Sequence, residues 1–431
     1  MKTRFCYIVL AFMVSQGVFA FDRADSLISR VEHYQRGMGA VSVFRNGMEV
    51  YQRCYGSTAI GKANDSTSLF RIGSVSKTFT AAIIFKLIEE GRLQLNDPLE
   101  KWFPLFGNAR LITVRHLLGH RSGLYNFTND GAYNQWKGNP ITRSELHARL
   151  LMYPNIFMPD EKTEYSNTNY VLLTWIAEDA SGEGFDELLD RIVVKPASLQ
   201  KTFVYSDSTM NIADSYRFRY EWELMDTTHE SVALGAGALV STPTDLNRFL
   251  YALFNGKIIT HATLQLMMNA TDGVGFGLFK APFYDRQAWG HSGVIDGFQS
   301  RAFYFIEDSV AIAVTANAAS YPLNELMIGV LSDVFDLPFE LPVFHEYIAV
   351  DPETLKQYEG EYAALGVPVK ITVRIENGAL VGQGTAQPSF PLVCTGRHRF
   401  SFDAGGIVIE FQPERRQLVL QQMGRRIIMK K

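Results

Sequence analysis

Apolar residues recur along this chain with two different periods, and the places where the period changes outline its elements. Residues 26–34 carry helical spacing. Two β-rich runs follow, Ala40-Val41-Ser42-Val43-Phe44 and Glu49-Val50-Tyr51, flanking Asn46-Gly47, a dipeptide that favours a tight hairpin. From residue 74 a second apolar-periodic run continues to Glu90 and stops at Gly91, as a helix with a C-terminal glycine does. Residues 96–226 read as helices joined by long polar loops, with helical spacing over 114–118, 144–152 and 169–179. The glycine-rich stretch Leu234-Gly235-Ala236-Gly237-Ala238 leads into Ser241-Thr242-Pro243-Thr244-Asp245, a helix start with proline in its first turn. Strand patterns return over 301–305 and 310–314, with Glu307-Asp308 as the turn between them. Strands at both ends of a helical middle predict an α/β domain whose sheet joins early and late segments.

A segment spaced by Pro338, Pro342 and Pro352 has little periodicity and predicts a linker over 338–354. Beyond it, strand-like runs over 370–374, 380–382, 400–402, 406–411 and 417–421 predict a small all-β, barrel-like domain spanning 355–431. At the other end, Lys2 and Arg4 precede an apolar run over 5–14 and the small-residue end Val18-Phe19-Ala20. That build predicts a cleavable secretory signal over 1–20, since the apolar run is too short to cross a bilayer with ease. One large domain over 21–337 remains, and the mature protein is expected to be exported, periplasmic or secreted, with no stable membrane span.

Composition narrows the function classes. The chain has 431 residues, 47% of them apolar and 20% charged, ample for more than one core. A net charge of −4 without a long lysine or arginine run disfavours nucleic acid as a partner. Cys6 falls in the expected signal, leaving Cys54 and Cys394 either to pair or to stand as unrelated thiols; neither has metal-ligand spacing.

Three short motifs carry candidate chemistry. In Ser74-Val75-Ser76-Lys77 the serine and lysine are three apart at a helix start, so an amine on the same face can hold or accept the hydroxyl proton. In Tyr165-Ser166-Asn167 a phenol close to a lysine ammonium can be held as phenolate and act as general base. Trp289-Gly290-His291-Ser292-Gly293-Val294 reads as an extended strand whose glycine leaves room for substrate against the backbone.

In this order the motifs S-x-x-K, Y-x-N and H-x-G resemble the serine β-lactamase-like family, which includes class C β-lactamases, D,D-carboxypeptidases, D-amino-acid peptidases and related esterases. The likeness extends over residues 25–335 through Leu117-Leu118-Gly119-His120-Arg121-Ser122-Gly123-Leu124 and Gly237-Ala238-Leu239-Val240-Ser241-Thr242. Tyr358-Glu359-Gly360-Glu361-Tyr362 is similar to the small β-domain often appended to these enzymes. The resemblance implies an α/β (α+β) transpeptidase-like fold: an antiparallel sheet flanked by helices, a mostly helical insertion and the all-β tail. It implies Ser74 as acylated nucleophile, Lys77 as its proton partner, Tyr165 as general base and Asn167 as a binder of the substrate amide. Backbone N–H groups of Ser74 and Val294 would form the oxyanion hole, with His291, Ser292 and Gly293 along the substrate. No metal or organic cofactor is implied. The implied partner is a small-molecule or peptide substrate, peptidoglycan-type peptides included.

The chain departs from the family where β-lactamases have K-T-G, because His291 and Ser292 replace the lysine and threonine. A histidine is only partly cationic near neutral pH, so its hold on a substrate carboxylate should be weaker and pH-dependent. The expected activity is therefore D,D-carboxypeptidase or D-amino-acid peptidase action, with broad esterase or weak β-lactamase action as alternatives. A noncatalytic penicillin- or peptide-binding sensor is the alternative of another class.

Several look-alikes fail on context. Ser198-Leu199-Gln200-Lys201 follows Lys195-Pro196-Ala197 with no periodic helix behind it. Gly290-His291-Ser292-Gly293-Val294 lacks the last glycine of a nucleophile elbow, and Gly273-Val274-Gly275-Phe276-Gly277 lacks dinucleotide-binding spacing. His116 and His120 could share a helix face, but Leu117 stands where a zinc protease motif needs glutamate.

Overall fold

The computed structural model of the protein describes residues 21–431 apart from 60, 207–211, 220, 377 and 423. The expected signal at 1–20 lies outside the described residues. Helix α1, Asp22–His33, buries Leu27, Ile28 and Val31 on one face. Strands β1, Gly37–Arg45, and β2, Met48–Tyr55, follow as the hairpin that Asn46-Gly47 predicts, with both turn residues at positive φ (52° and 78°). Helix α2, Ser76–Glu89, is buried nearly all round, including Lys77 and Phe79 to Phe85. It ends where expected, at Gly91 with φ 72°.

Helix α3, Asn167–Ser181, lies against α2, and both pack on the broken helix α4, Glu230–Gly237. Helix α5, Pro243–Phe254, follows and stacks Phe249 on Phe79 of α2 at 3.7 Å. Strands β3, Phe279–Phe283, β4, Arg286–Ile295, β5, Phe298–Phe305, and β6, Val310–Ala319, complete the sheet ahead of helix α6, Leu323–Val334. The antiparallel order is β3-β4-β5-β6-β1-β2. Its β6–β1 seam, from Gly37 opposite Ala319 to Arg45 opposite Val310, joins the early and late segments. Helices α1 and α6 cover one face through Leu27, Leu326 and Val330; α2 and α5 lie on the other side. Each fully buried leucine or phenylalanine contributes roughly 1.5–3 kcal/mol, so the two helical layers hold the sheet rigidly beneath the site.

Residues 338–351 contain no helix or strand, but they are not a free spacer. Phe339, Leu341 and Phe344 pack on the α1–α6 side of the core. Arg36, which is 1% exposed, donates to the His345 carbonyl at 2.5 Å, pairs with Asp403 at 2.7 Å and stacks on Tyr347 at 3.6 Å. The last residues read as linker instead open a helical turn, Pro352–Leu355, because the Asp351 carboxylate accepts from the Glu353 N–H.

The tail is an eight-stranded antiparallel near-barrel in chain order, beginning at Gly360–Tyr362 and ending at Arg425–Lys430. Mutual bonds between the Ala363 and Lys430 backbones (2.8 and 2.9 Å) bring its ends together. Cys54 and Cys394 are both free thiols.

Candidate active site

Ser74 sits on a single 3-10 turn, Gly73–Val75, that feeds α2. Gly73 takes φ 51°, a conformation that side chains disfavour. A Cβ there would lie 2.8–2.9 Å from the backbone of Val294, and one on Gly293 would lie 2.1 Å from the Ile72 carbonyl and 2.9 Å from the Ser74 nitrogen. The nucleophile's turn and β4 therefore meet main chain to main chain. The Ser300 hydroxyl, donating to the Ile72 carbonyl at 2.6 Å, ties the turn to β5 as well.

Lys77, one turn along α2, has no exposed surface. Its Nζ contacts Ser74 Oγ at 3.1 Å, Asn167 Oδ1 at 2.7 Å and the Ala236 carbonyl at 2.6 Å. That carbonyl is available because it lies in the last turn of α4, which ends at Gly237 and gives way to strand at Leu239. Burial holds the Lys77 amine well below its ordinary range. A neutral amine has two N–H donors and one lone pair. Nζ donates to all three as placed; once the amine is neutral, Asn167 Oδ1 and the carbonyl, which can only accept, keep its two N–H groups, and the lone pair turns to the Ser74 hydroxyl.

Tyr165 reaches the same atom, its hydroxyl donating to Ser74 Oγ at 2.9 Å. Its ring lies 4.9 Å from Lys77 Nζ and stacks on His120 at 4.4 Å. Burial pushes the phenol above its ordinary value, outweighing the opposing effect of the Ser74 bond. Burial therefore favours the protonated phenol at rest over the phenolate that the sequence allows. Asn167 opens α3, where its amide donates to Thr128 Oγ1 at 3.0 Å and its backbone N–H to Asn126 Oδ1 at 2.9 Å.

His291 and Gly293 face the nucleophile side of β4, while Ser292 is exposed and Val294 is 67% exposed. His291 Nδ1 donates to the Ser292 carbonyl at 2.5 Å, and its buried Nε2 has no hydrogen-bond partner among the described residues. Burial, with the nearby Lys77 second, lowers its pKa to about 3. Burial thus favours the neutral imidazole over the partly cationic, carboxylate-anchoring form expected from sequence. The β3–β4 ladder ends at Phe279 opposite Gly290, whereas β4–β5 continues to Ile295 opposite Phe298. From His291 onward, one edge of β4 has no strand partner among the described residues, so an extended substrate can pair there.

Two other sequence features fall away. Ser198 takes φ 55° beyond the short helix Lys195–Ala197, away from any helix start. His116 closes the capping box of helix Val114–Leu118, whereas His120 lies past that helix at φ 55°, so they share no helical face. His120 has a different place: buried against Tyr165, its Nδ1 accepts from the Ser166 N–H at 3.2 Å. His120 belongs to the family-like stretch 117–124, but no local pattern there points it at the nucleophile.

A cavity of about 190 Å³ adjoins Ser74 and runs along β4 towards Ile295 and Asp296, with Lys137, Thr128, Asn167 and Thr228 in its walls. Lys137 and Asp296 also escaped the sequence reading. Asp296 was visible in part, as half of an Asp-Gly turn directly after the third motif. Lys137 stands in a polar loop with no local signal.

Two buried histidines have a consequence for acid stability. His120 and His291 are both held below the ordinary histidine value, mainly by burial, so unfolding lets each bind a proton. For His291 the stabilisation is full above about pH 6.5 and is lost as pH falls from there toward about 3. Each contributes a slope of up to about 1.4 kcal/mol per pH unit. The acid-induced fall in Tm between pH 7 and 4 should be shallower in His291→Gln than in wild type. Parallel melting curves against pH would contradict a buried neutral imidazole.

The site can be compared with known proteins. Residues 24–327 match the family model described as Beta-lactamase. Penicillin-binding protein 4* of Bacillus subtilis (strain 168) is 27% identical over 408 residues, covering 86% of this chain and 89% of that protein. The D-amino acid amidase from Ochrobactrum anthropi SV3, in complex with D-phenylalanine, superposes with a TM-score of 0.65 at 26% identity, covering 73% of this chain and 99% of its own. The octameric penicillin-binding protein homologue from Pyrococcus abyssi shares the fold across 95% of this chain and 99% of its own, with a TM-score of 0.67 at 23% identity.

Proposed function

Because the chain belongs to the beta-lactamase family and is a serine hydrolase, we propose that it is an exported enzyme that cleaves amides of D-amino acids, peptidoglycan-type D-peptides included, through an acyl-Ser74 intermediate. The observation that carries this reading is the meeting of Lys77 and Tyr165 on one oxygen, Ser74 Oγ, at 3.1 and 2.9 Å. The names of the relatives, a penicillin-binding protein and a D-amino acid amidase, support the choice of D-amino-acid substrates.

The chemistry follows from which group can take a proton. Ser74 Oγ attacks the carbonyl as its proton passes to the Lys77 lone pair. The oxyanion is received by the backbone N–H groups of Ser74 and Val294, which the close turn–strand contact sets side by side. As the C–N bond breaks, Tyr165 gives its proton to the leaving amine, and the Lys77 ammonium returns one to the phenolate. Water then repeats the sequence on the acyl-enzyme. Tyr165 thus acts first as an acid, and Lys77 takes the basic role assigned to tyrosine from sequence. A β-lactam, whose carboxylate calls for a cation at the third motif, finds a neutral His291 there.

The test is a panel of N-acetyl-D- and N-acetyl-L-phenylalanine amides, an N-acylated D-Ala-D-Ala peptide, a p-nitrophenyl ester and a chromogenic β-lactam. Turnover of the D-amides or D-peptide should exceed that of the L-amide and the β-lactam by about 10²-fold in kcat/KM, a difference of about 2.7 kcal/mol in barrier. Equal turnover of both enantiomers would defeat the substrate assignment. A single acylation that never clears, with every substrate, would make the protein a sensor.

A further inference from the structure

The leaving amine must depart on the Tyr165 side, because Tyr165 supplies its proton. That side lies toward β3: the Tyr165 ring is 6.4 Å from His291 and 6.5 Å from Phe279. The acyl half of the substrate then extends the other way along β4, into the cavity that ends at Asp296 and Lys137.

The charges there are unequal. Asp296 Oδ1 accepts from Lys137 Nζ at 2.6 Å and Thr228 Oγ1 at 2.7 Å; Oδ2 accepts from Arg71 Nη1 at 3.0 Å and the Thr228 N–H at 2.9 Å. Both oxygens are engaged, so the carboxylate has little left to offer a substrate ammonium. Arg71 and Asp296 side chains are each 1% exposed and neutralise one another. Arg71 Nε and Nη2 are buried without hydrogen-bond partners among the described residues, so the cluster has no spare acceptor there. Lys137, its side chain 12% exposed, is a second cation on an anion that already has one. Glu230, the other carboxylate whose field reaches Arg71, does not line the cavity and lies 3.5 Å from His229.

We infer that Lys137 is a specificity-determining residue, the anchor for an anionic group on the acyl donor, and that the pocket discriminates against a free α-ammonium. The substrate class is then a D-aminoacyl amide whose side chain or N-substituent carries a carboxylate. This inference rests on the acyl-Ser74 reading for its direction along β4. Asp296 and Arg71 are positioning residues that steer the Lys137 amine toward the cavity.

Four D-aminoacyl p-nitroanilides test it: free-amine D-Ala, N-acetyl-D-Ala, N-succinyl-D-Ala and N-acetyl-D-Glu. Wild type should favour the better of the two anionic substrates over N-acetyl-D-Ala by about tenfold in kcat/KM, and the free amine should rank last. In Lys137→Met the anionic-to-neutral ratio should fall to within about twofold of one, while Lys137→Arg should keep most of it. Should Lys137→Met not fold, competitive inhibition of wild type by N-succinyl-D-alanine against N-acetyl-D-alanine measures the same preference, expected at about tenfold in Ki. A free amine that ranks first, a ratio unchanged in Lys137→Met, or equal loss on all substrates would overturn the inference. Turnover of the neutral N-acetyl substrate, and its loss in Ser74→Ala, reports separately on the acyl-enzyme itself.

Discussion

Ser74→Ala is expected to lower kcat/KM by about 10⁴-fold or more and to abolish labelling by a fluorophosphonate, because no second nucleophile lies between Lys77 and Tyr165. Protein stability should change little, since a half-buried hydroxyl is exchanged for a methyl group. The control is Ser198→Ala, in the other S-x-x-K copy. Ser198 lies past a short helix at φ 55°, and the backbone N–H of Lys201 is occupied by Asp245 Oδ2. Its substitution should leave turnover within about twofold. Labelling that survives in Ser74→Ala and disappears in Ser198→Ala would reverse the assignment.

Lys77→Met is expected to cost about 10³-fold in acylation rate, within the range for losing a positioned general base. Methionine matches the length of the buried lysine stem, but it leaves Asn167 Oδ1 and the Ala236 carbonyl without a donor. Two controls separate base from scaffold. Acylation in wild type should rise with pH through the depressed Lys77 value, because the neutral amine is the active form, and this limb should vanish in Lys77→Met. Tyr165→Phe should retain the limb and be the less damaging change for p-nitrophenyl esters, whose leaving group needs no proton. If instead Tyr165→Phe removes the limb and Lys77→Met keeps it, tyrosine is the base after all. The pre-steady-state burst with a p-nitrophenyl ester, followed against pH, decides between them.

These experiments bear on features that differ in how legible they are. Ser74 and Lys77 are readable because helical spacing places residues three apart on one face, and the start and glycine stop of α2 are local signals. The β1–β2 hairpin is equally local. What sequence does not express is the dielectric around a side chain. Lys77, Tyr165 and His291 are each shifted toward the neutral form by burial among residues distant in the chain, an effect that no local pattern announces. The Asp296 cluster depends on Arg71, Lys137 and Thr228, brought together only by the tertiary fold. In the tail, the strand Ser389–Gly396 escaped because Pro391 argues against a paired strand, yet Val381 stands opposite it in the ladder. Packing of the proline-spaced segment on α1 and α6 is likewise tertiary, since apolar residues without a period announce no partner.

The main-chain contact between Gly73–Ser74 and Gly293–Val294 has an evolutionary consequence. The contact itself uses no side chain, at two sites where even alanine would collide with backbone. The cavity wall at Lys137 and Thr228 contributes to selectivity through side chains on other segments. Point mutation can therefore redirect which acyl group is accepted while the bond-breaking machinery stays intact, so descendants of this chain can diverge in diet without relearning the reaction.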